Sequence, residues 1–365
     1  MTTDGSRATE VAELQVAAGV VELASGVDAL YLSGHCVVPD PLWTLLSGGK
    51  AQAVEAKAAV PVVLGGCEFA LQDHAFGKYA IRLEHACGVV GVTNSEKLPA
   101  LRFQPRAEFL HGASPIAAVE WFRDTFGAVV GDVSTSVSRL DLFVDFQGWI
   151  PRPDDRLRFV SRARSRVMYE DSDELTGLQF GKRGSGLTAR LYDKTEDITK
   201  KGTTYWNDVW GERLSPDAAV WRAEVEFSRT ALREFHLDGP ESVLAAAGPL
   251  WGYATDKWLT LRVPTADETR SRWPIDSAWS ALQRASLVDR SIGIERARSA
   301  KREASLQWWL PRMRGALVAC GALTGADDLG DLLDALPGLI RDDEVRSGVS
   351  FEARLAYKRW LASMS

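Results

Sequence analysis

The sequence is poor in the residues that build metal fingers, redox pairs or secreted frameworks. Its four cysteines, Cys36, Cys67, Cys87 and Cys320, are scattered. No C-x-x-C occurs, and His35-Cys36 has no second half at zinc-site spacing, so reduced thiols packing as small apolar groups are expected. The five histidines, His35, His74, His85, His111 and His236, never form a His-hydrophobic-His pair; a histidine-built metal centre is not expected. There is no Gly-x-x-x-x-Gly-Lys-Ser/Thr, which excludes a phosphate loop for nucleotide hydrolysis. No apolar run reaches the roughly 18 residues that a membrane helix needs. Met1 to Glu10 mixes both charge signs without a basic region leading into an apolar core, so a cytoplasmic protein without membrane contact is expected.

The formal net charge is −6 over 365 residues, which taken alone disfavours a nucleic-acid partner. The cations are clustered, however. Six arginines fall between Arg152 and Arg166, and eight Lys/Arg against three acids fall between Arg284 and Arg314. Each run reads equally well as a solvated helix face or as a set of phosphate contacts.

Hydrophobic spacing places strands at Val27–Cys36, Cys67–Leu71, Tyr79–Thr93 and Ala100–Leu110, and helices at Asp40–Ala59 and Ser114–Phe126. Residues 1–26 read as a polar lead-in. A second strand-rich stretch follows: Val133–Gln147, a hairpin of Gly177–Gly181 with Leu187–Thr195, and Ala219–Ser228, with a helix expected at Asp154–Arg164. From Thr230 the pattern is mainly helical. The expected fold is α+β and antiparallel, two strand-and-helix blocks readable as a tandem pair of related modules. The boundaries this suggests are 1–128, 129–238 and 239–365.

Period-two alternation sorts polar groups onto one face of three strands. In Arg139-Leu140-Asp141-Leu142-Phe143-Val144-Asp145-Phe146, Leu140, Leu142, Val144 and Phe146 take one face, and Arg139, Asp141 and Asp145 take the other along with Phe143. Arg190, Tyr192 and Lys194 share a face, as do Arg222, Glu224 and Glu226. Carboxylates gathered on one sheet face repel unless a cation lies between them. All-oxygen donors suit Mg2+ or Mn2+, and such a metal beside a tyrosine and basic residues suits phosphoryl transfer. The same alternation is also what a half-exposed sheet with surface ion pairs produces.

These stretches resemble the trans-acting Rep family of plasmid rolling-circle replication initiators, with related relaxases of integrative elements and filamentous-phage replication proteins. Arg139-Leu140-Asp141 through Asp145 is similar to the family's Arg-x-Asp-x-x-x-Asp strand. Phe180-Gly181-Lys182-Arg183-Gly184-Ser185 through Arg190-Leu191-Tyr192-Asp193-Lys194 resembles its Gly-x-Arg-x-Ser … Arg-x-Tyr-(Asn/Asp)-Lys segment. Trp221-Arg222-Ala223-Glu224-Val225-Glu226 resembles its Trp-Arg-x-Glu-x-Glu strand. The resemblance covers roughly residues 70 to 260 and says little about Trp273-Pro274-Ile275-Asp276 and beyond.

It implies an antiparallel Rep-type nicking domain and a site-specific DNA endonuclease and strand transferase. Tyr192 would be the nucleophile that keeps the 5′ end, with Arg190 and Lys194 beside it. Asp141, Glu224, Glu226 and Asp145 would hold Mg2+ or Mn2+. Lys182, Arg183, Ser185, Arg139 and Arg222 would contact DNA. Implied partners are origin DNA as single strand or hairpin with flanking duplex, a second copy as a homodimer, and a host helicase and polymerase. Other tyrosines read differently: Tyr31, Tyr79, Tyr253 and Tyr357 sit in apolar patterns, and neither Tyr169 nor Tyr205 shares a strand face with flanking basic residues. The helical third, with Trp308-Trp309 in its basic run, is a candidate for binding origin duplex. Two alternatives carry the same motifs: a conjugative relaxase nicking a transfer origin, and a non-catalytic DNA-binding regulator of the same fold.

Overall fold

In the computed structural model the described residues are 19–285 except 183 and 204, together with 287, 317 and 320–356. Arg183, most of the basic run after Arg284 and Trp308-Trp309 lie outside the described residues, as does the lead-in up to residue 18.

The strands are β1 (Val21–His35), β2 (Val60–Leu64), β3 (Cys67–Leu71), β4 (Ile81–His85), β5 (Gly88–Val92), β6 (Leu101–Pro105), β7 (Ser134–Gln147), β8 (Phe159–Ser161), β9 (Arg166–Asp171), β10 (Glu174–Phe180), β11 (Leu187–Asp193), β12 (Trp221–Ser228) and β13 (Leu259–Leu261). Eleven of them form one sheet in the order β2-β3-β4-β5-β6-β1-β7-β12-β11-β10-β9. Every neighbouring pair is antiparallel. The long strands β1 and β7 pair along nearly their whole length at its centre.

The order is mirrored about that seam. β1 is followed outward by β6, β5, β4, β3 and the edge strand β2; β7 is followed by β12, β11, β10 and β9, one strand fewer. Each half starts on its central strand, travels to the edge and folds back towards the centre. This is the tandem pair expected from the two blocks, fused edge to edge. The sheet therefore runs unbroken across the expected boundary at residue 128.

One face of the sheet is apolar and covered. Helices α1 (Asp40–Ala56), α2 (Ala107–Gly112) and α3 (Pro115–Val130) belong to the first half. The start of α3 is fixed locally: Pro115 opens the helix and the Ser114 side chain accepts from the Ala117 N–H at 3.2 Å. Its buried stripe of Val119, Trp121, Phe122 and Phe126 packs on Phe69 and Phe103. In the second half α4 (Lys194–Lys201) and α5 (Tyr205–Trp210) lie against the opposite, polar face, where Trp206 meets Phe143 and Trp210 meets Asp145, and α6 (Arg229–Glu234) follows β12. The short pair β8–β13 and helices α7 (Pro240–Ala245), α8 (Ala247–Gly252) and α9 (Ser277–Gln283) come next. Phe159, Phe180, Trp251 and Trp279 are buried among them. The first compact unit extends to Ile294, past the expected boundary at 238, and the second spans Glu295–Ser365. In the second unit, α10 (Leu329–Ser347) is capped by Asp328, whose side chain accepts from the Asp331 N–H at 3.0 Å.

Three local expectations need correction. Ala100–Leu110 is a strand only to Pro105 and then turns into α2. Asp154–Arg164 is a single 3-10 turn at Pro153–Leu157 followed by β8; Pro153 and Asp155 organise that turn, and no apolar stripe extends it into a helix. Tyr79–Thr93 is two strands, β4 and β5, and Arg166–Asp171, for which no element was expected, is the edge strand β9. Among the described residues no helix is long and apolar enough to cross a membrane.

Candidate functional site

The polar face of the second half carries the residues singled out by alternation, and strand register arranges them in rows. Asp141 lies opposite Glu226, which lies opposite Thr188. Phe143 faces Glu224, which faces Arg190. Asp145 faces Arg222, which faces Tyr192. Adjacent strands put opposed side chains about 5 Å apart, so register alone assembles carboxylates, guanidiniums and a phenol from three segments distant in sequence.

The hydrogen bonds show how these charges are held. Arg139 Nε donates to Asp141 Oδ1 at 2.7 Å, and Arg139 Nη2 lies 3.0 Å from Glu226 Oε2. Arg190 donates through Nη1 to Glu224 and through Nη2 to Glu226, each at 3.0 Å. The Tyr192 hydroxyl donates to Glu224 Oε2 at 3.2 Å. Asp141, Glu224 and Glu226 are all buried. Burial, and then the neighbouring Glu224 and Glu226, push the Asp141 carboxyl up to about 7, against the pull of Arg139. Burial, followed by the charge of Asp28, also raises Glu224. Burial and the Glu224 charge raise the Tyr192 phenol well above its usual range, so it rests protonated and serves as a donor.

A second cluster lies one row away. Arg222 is fully buried and donates from Nε and Nη2 to Asp145 at 2.6 and 2.8 Å, and from Nη1 to Asp28 at 2.5 Å. Its guanidinium is sandwiched between the rings of Phe143 and Trp206, 4.0 and 4.2 Å from their centroids. Trp210 Nε1 donates to Asp145 at 2.9 Å. This corrects two expectations. Arg222 presents nothing to DNA; it holds Asp145 and Asp28 in place. Asp145 has both oxygens engaged by Arg222 and Trp210, which leaves it a structural counter-ion and not a free metal ligand. Asp28 gave no sequence signal: β1 bulges between Val27 and Ala29 and places it beside Arg222. Burial works to raise its carboxyl, but Arg222 and His111 outweigh it and hold Asp28 well below the usual range.

Lys194, the first residue of α4, is buried, donates to Asp197 Oδ2 at 2.8 Å, and sits 5.7 Å from the Tyr192 ring centroid and 5.1 Å from that of Trp206. Burial and the nearby Arg222 charge lower its pKa. Lys182 and Ser185 lie elsewhere. The β10–β11 register pairs Gly177 with Tyr192 and Phe180 with Ala189, so the turn after Phe180 is at the opposite end of β11 from Tyr192. Four strand residues span about 13 Å. Ser185 Oγ closes that turn by accepting from Lys182 N at 3.2 Å and donating to Leu187 O at 3.2 Å. Lys182 and Ser185 are exposed, and Lys182, expected to hold backbone near Tyr192, does not flank it.

The face opens as a cleft of about 500 Å3 lined by Tyr192, Arg190, Arg139, Asp141 and Glu224. Three further tyrosines, Tyr31, Tyr169 and Tyr205, line it too. Tyr31 was read as core; instead it stacks under Arg139, 5.0 Å from the guanidinium carbon. Tyr169 lies opposite Gly177, which in turn faces Tyr192, so two phenols flank one glycine. A side chain at Gly177 would come within 3.3 Å of Tyr192 Cβ. Of the four, Tyr192 is the one whose hydroxyl bonds a buried carboxylate.

The carboxylates a divalent cation would use are already engaged: Arg139 holds both oxygens of Asp141, and Arg190 and Tyr192 hold one oxygen each of Glu224. Asp141, Glu224 and Glu226 offer hard oxygens alone, and with Asp28 and Asp145 they exceed the cations Arg139, Arg190, Arg222 and Lys194 by one. Arg139 and Arg190 stand between those three carboxylates, and among the described residues no three His, Cys, Asp or Glu side chains converge as a preformed metal site.

No family profile matches the sequence, and no curated protein matches it. Among solved structures the chain is similar to the rolling circle replication initiator protein from Geobacillus stearothermophilus, at 14% identity and a TM-score of 0.44, over 74% of this chain and 99% of that one.

Proposed function

We propose that this protein is a DNA strand-nicking and strand-transfer enzyme that initiates rolling-circle replication, with Tyr192 as nucleophile. The observation that supports this reading is the Tyr192–Glu224 hydrogen bond at 3.2 Å on the floor of an open cleft lined by Arg139 and Arg190. A phenol is a weak nucleophile until a base takes its proton; Glu224 Oε2 is placed to take it. The phenolate oxygen then attacks a backbone phosphorus of single-stranded DNA. The Tyr192 oxygen–phosphorus bond forms, the bond to the 3′ oxygen breaks, and the leaving oxygen takes a proton to become a free 3′-hydroxyl. The 5′ end stays on Tyr192 as a phosphotyrosine. The phosphodiester energy is kept in that link, so no nucleotide is consumed, and the 3′-hydroxyl is the group a polymerase extends.

Arg190 and Arg139 supply positive charge beside the pentacovalent phosphorus. Asp141, Glu224 and Glu226 would hold Mg2+ or Mn2+ in exchange for their contacts with Arg139 and Arg190, and the metal would supply Lewis-acid polarisation of the scissile phosphate. Lys194 stacks against the Tyr192 ring and limits its rotation.

The experiment is cleavage of a labelled single-stranded oligonucleotide carrying the origin nick site, with Mn2+, trapping covalent protein–DNA on a denaturing gel. Wild type should form the adduct and Tyr192→Phe should not. An adduct of undiminished yield from Tyr192→Phe overturns the assignment. DNA binding without cleavage by wild type would favour a regulator that kept the fold.

A further inference from the structure

The same sheet face continues beyond the cleft into the first half, and there its chemistry changes. Register places Arg102 opposite Ser33 on one side and Gly91 on the other, and Gly91 opposite Arg82. These positions share the face that carries Tyr31, since Leu32 and Phe103 take the apolar side. The loop before β4 folds over this face. Phe76 lies between the two arginines, with the guanidinium carbons of Arg82 and Arg102 each 5.5 Å from its ring centroid. Glycine at 91 makes room for that ring: a Cβ there would fall 2.9 Å from Phe76 and 2.8 Å from Tyr79.

The charge balance also differs from that of the cleft. Arg82 donates from Nε to Glu84 at 2.9 Å, and Arg106 is 3.9 Å from the same carboxylate. Among the described residues Arg102 has no carboxylate partner; it stacks instead on Tyr31 at 5.8 Å. Tyr31 therefore touches Arg102 on one side and Arg139 on the other, at 5.0 Å, and joins this cationic, aromatic strip to the cleft without a break. None of Arg82, Arg102, Phe76 and Tyr31 is fully buried.

We infer that this strip, formed by Arg82, Arg102, Arg106, Phe76 and Tyr31, is a binding track for the single-stranded DNA that runs from the cleavage cleft. Arginines spaced along a sheet hold successive phosphates, and guanidiniums held flat against rings present planar cationic faces on which unpaired bases stack, as those of a duplex do not. The inference rests on the cleft being the site that cuts DNA, but its test does not depend on cleavage.

The test is fluorescence anisotropy of the full-length protein with a labelled 25-residue oligothymidylate, in EDTA so that nothing is cut. Each phosphate contact contributes about 0.7 to the slope of log K against log salt for a single strand. The double variant Arg82→Ala/Arg102→Ala should bind about tenfold more weakly at low salt, with the slope smaller by about 1.4. Phe76→Ala should weaken binding about tenfold with the slope unchanged. Arg82→Lys/Arg102→Lys should retain the slope, which separates lost charge from a misfolded sheet. Unchanged affinity and slope in the alanine pair overturns the track, as does a loss confined to a duplex probe of the same length. Failure of Tyr192→Phe to block the adduct bears on the cleavage reading alone, because oligothymidylate binding in EDTA involves no nucleophile.

Discussion

The two halves of the sheet are built on one plan and filled with opposite chemistry. Outward from the β1–β7 seam, the polar face of the second half reads Asp141, Glu226 and Thr188, then Phe143, Glu224 and Arg190, then Asp145, Arg222 and Tyr192. The first half reads Ser33, Arg102, Gly91 and Arg82. One side buries more carboxylates than guanidiniums beneath a cleft. The other leaves arginines half-exposed around a phenylalanine. The scaffold supplies flat, opposed positions at fixed spacing; what fills them decides whether the face does chemistry or holds a strand. Buried charge is costly unless every partner is present, and the second half meets that cost with Arg222 and its two carboxylates, held between two aromatic rings.

The comparison breaks most sharply at the tyrosines. Tyr192→Phe should lower adduct formation by more than about 1,000-fold, because the attacking oxygen is gone. Tyr169→Phe and Tyr31→Phe keep their rings and should lose at most about tenfold, the scale of a single hydrogen bond. Adduct yield on the same oligonucleotide ranks all three. If Tyr169→Phe were the silent variant and Tyr192→Phe active, the nucleophile would sit on the edge strand instead.

Arg222→Ala should destabilise the fold by about 3–5 kcal/mol, since Asp145 and Asp28 are left as uncompensated charges. Arg102→Ala, whose guanidinium has an aromatic contact and no carboxylate among the described residues, should cost about 1 kcal/mol or less. Urea unfolding of both variants measures the difference. Equal losses would mean that the first half depends on its arginines for stability and not for binding.

Glu224→Gln keeps the shape of the side chain and its contact with Tyr192 but removes the proton acceptor. Its cleavage rate should fall about 100-fold with DNA affinity little changed. A loss of affinity with an unaltered rate would assign Glu224 to positioning alone.

Much of this was legible in the chain, for identifiable reasons. Alternation from Arg139 to Phe146 sorted the two faces of β7 correctly because one face packs into a core of Leu140, Leu142, Val144 and Phe146. Two blocks with similar element order foreshadowed the mirrored sheet. The sequence could not show that Arg222 and Asp145 close on each other, because cross-strand register depends on how β7 and β12 align. Asp28 was invisible because a bulge, not alternation, aims it. Tyr31 looked like core because its neighbours Leu30 and Leu32 are fully buried, and its role depends on Arg102 and Arg139, each far away in sequence. The turn at Lys182 looked adjacent to Tyr192 because the two are ten residues apart, whereas an antiparallel strand carries its two ends to opposite sides of the sheet.

The smallest expected effect tests whether the two halves use glycine alike. Gly91 and Gly177 each leave room for aromatic neighbours on the polar face. A Cβ at 91 would fall 2.8 Å from the buried Tyr79 and 2.9 Å from Phe76, contacts that only a shift of packed rings relieves. Gly91→Ala should therefore destabilise by about 1–3 kcal/mol and displace Phe76 from between its arginines. A Cβ at 177 would meet backbone and Tyr192 Cβ at 3.3 Å and Tyr169 at 3.6 Å, a tight fit relieved by a few tenths of an ångström. Gly177→Ala should cost less than about 1 kcal/mol, and its effect should fall on adduct formation, because the atom that gives way belongs to the nucleophile's own side chain. Thermal melts paired with cleavage assays separate the two: a Gly177→Ala variant that loses stability but cleaves at the full rate would show that the space beside Tyr192 serves folding alone.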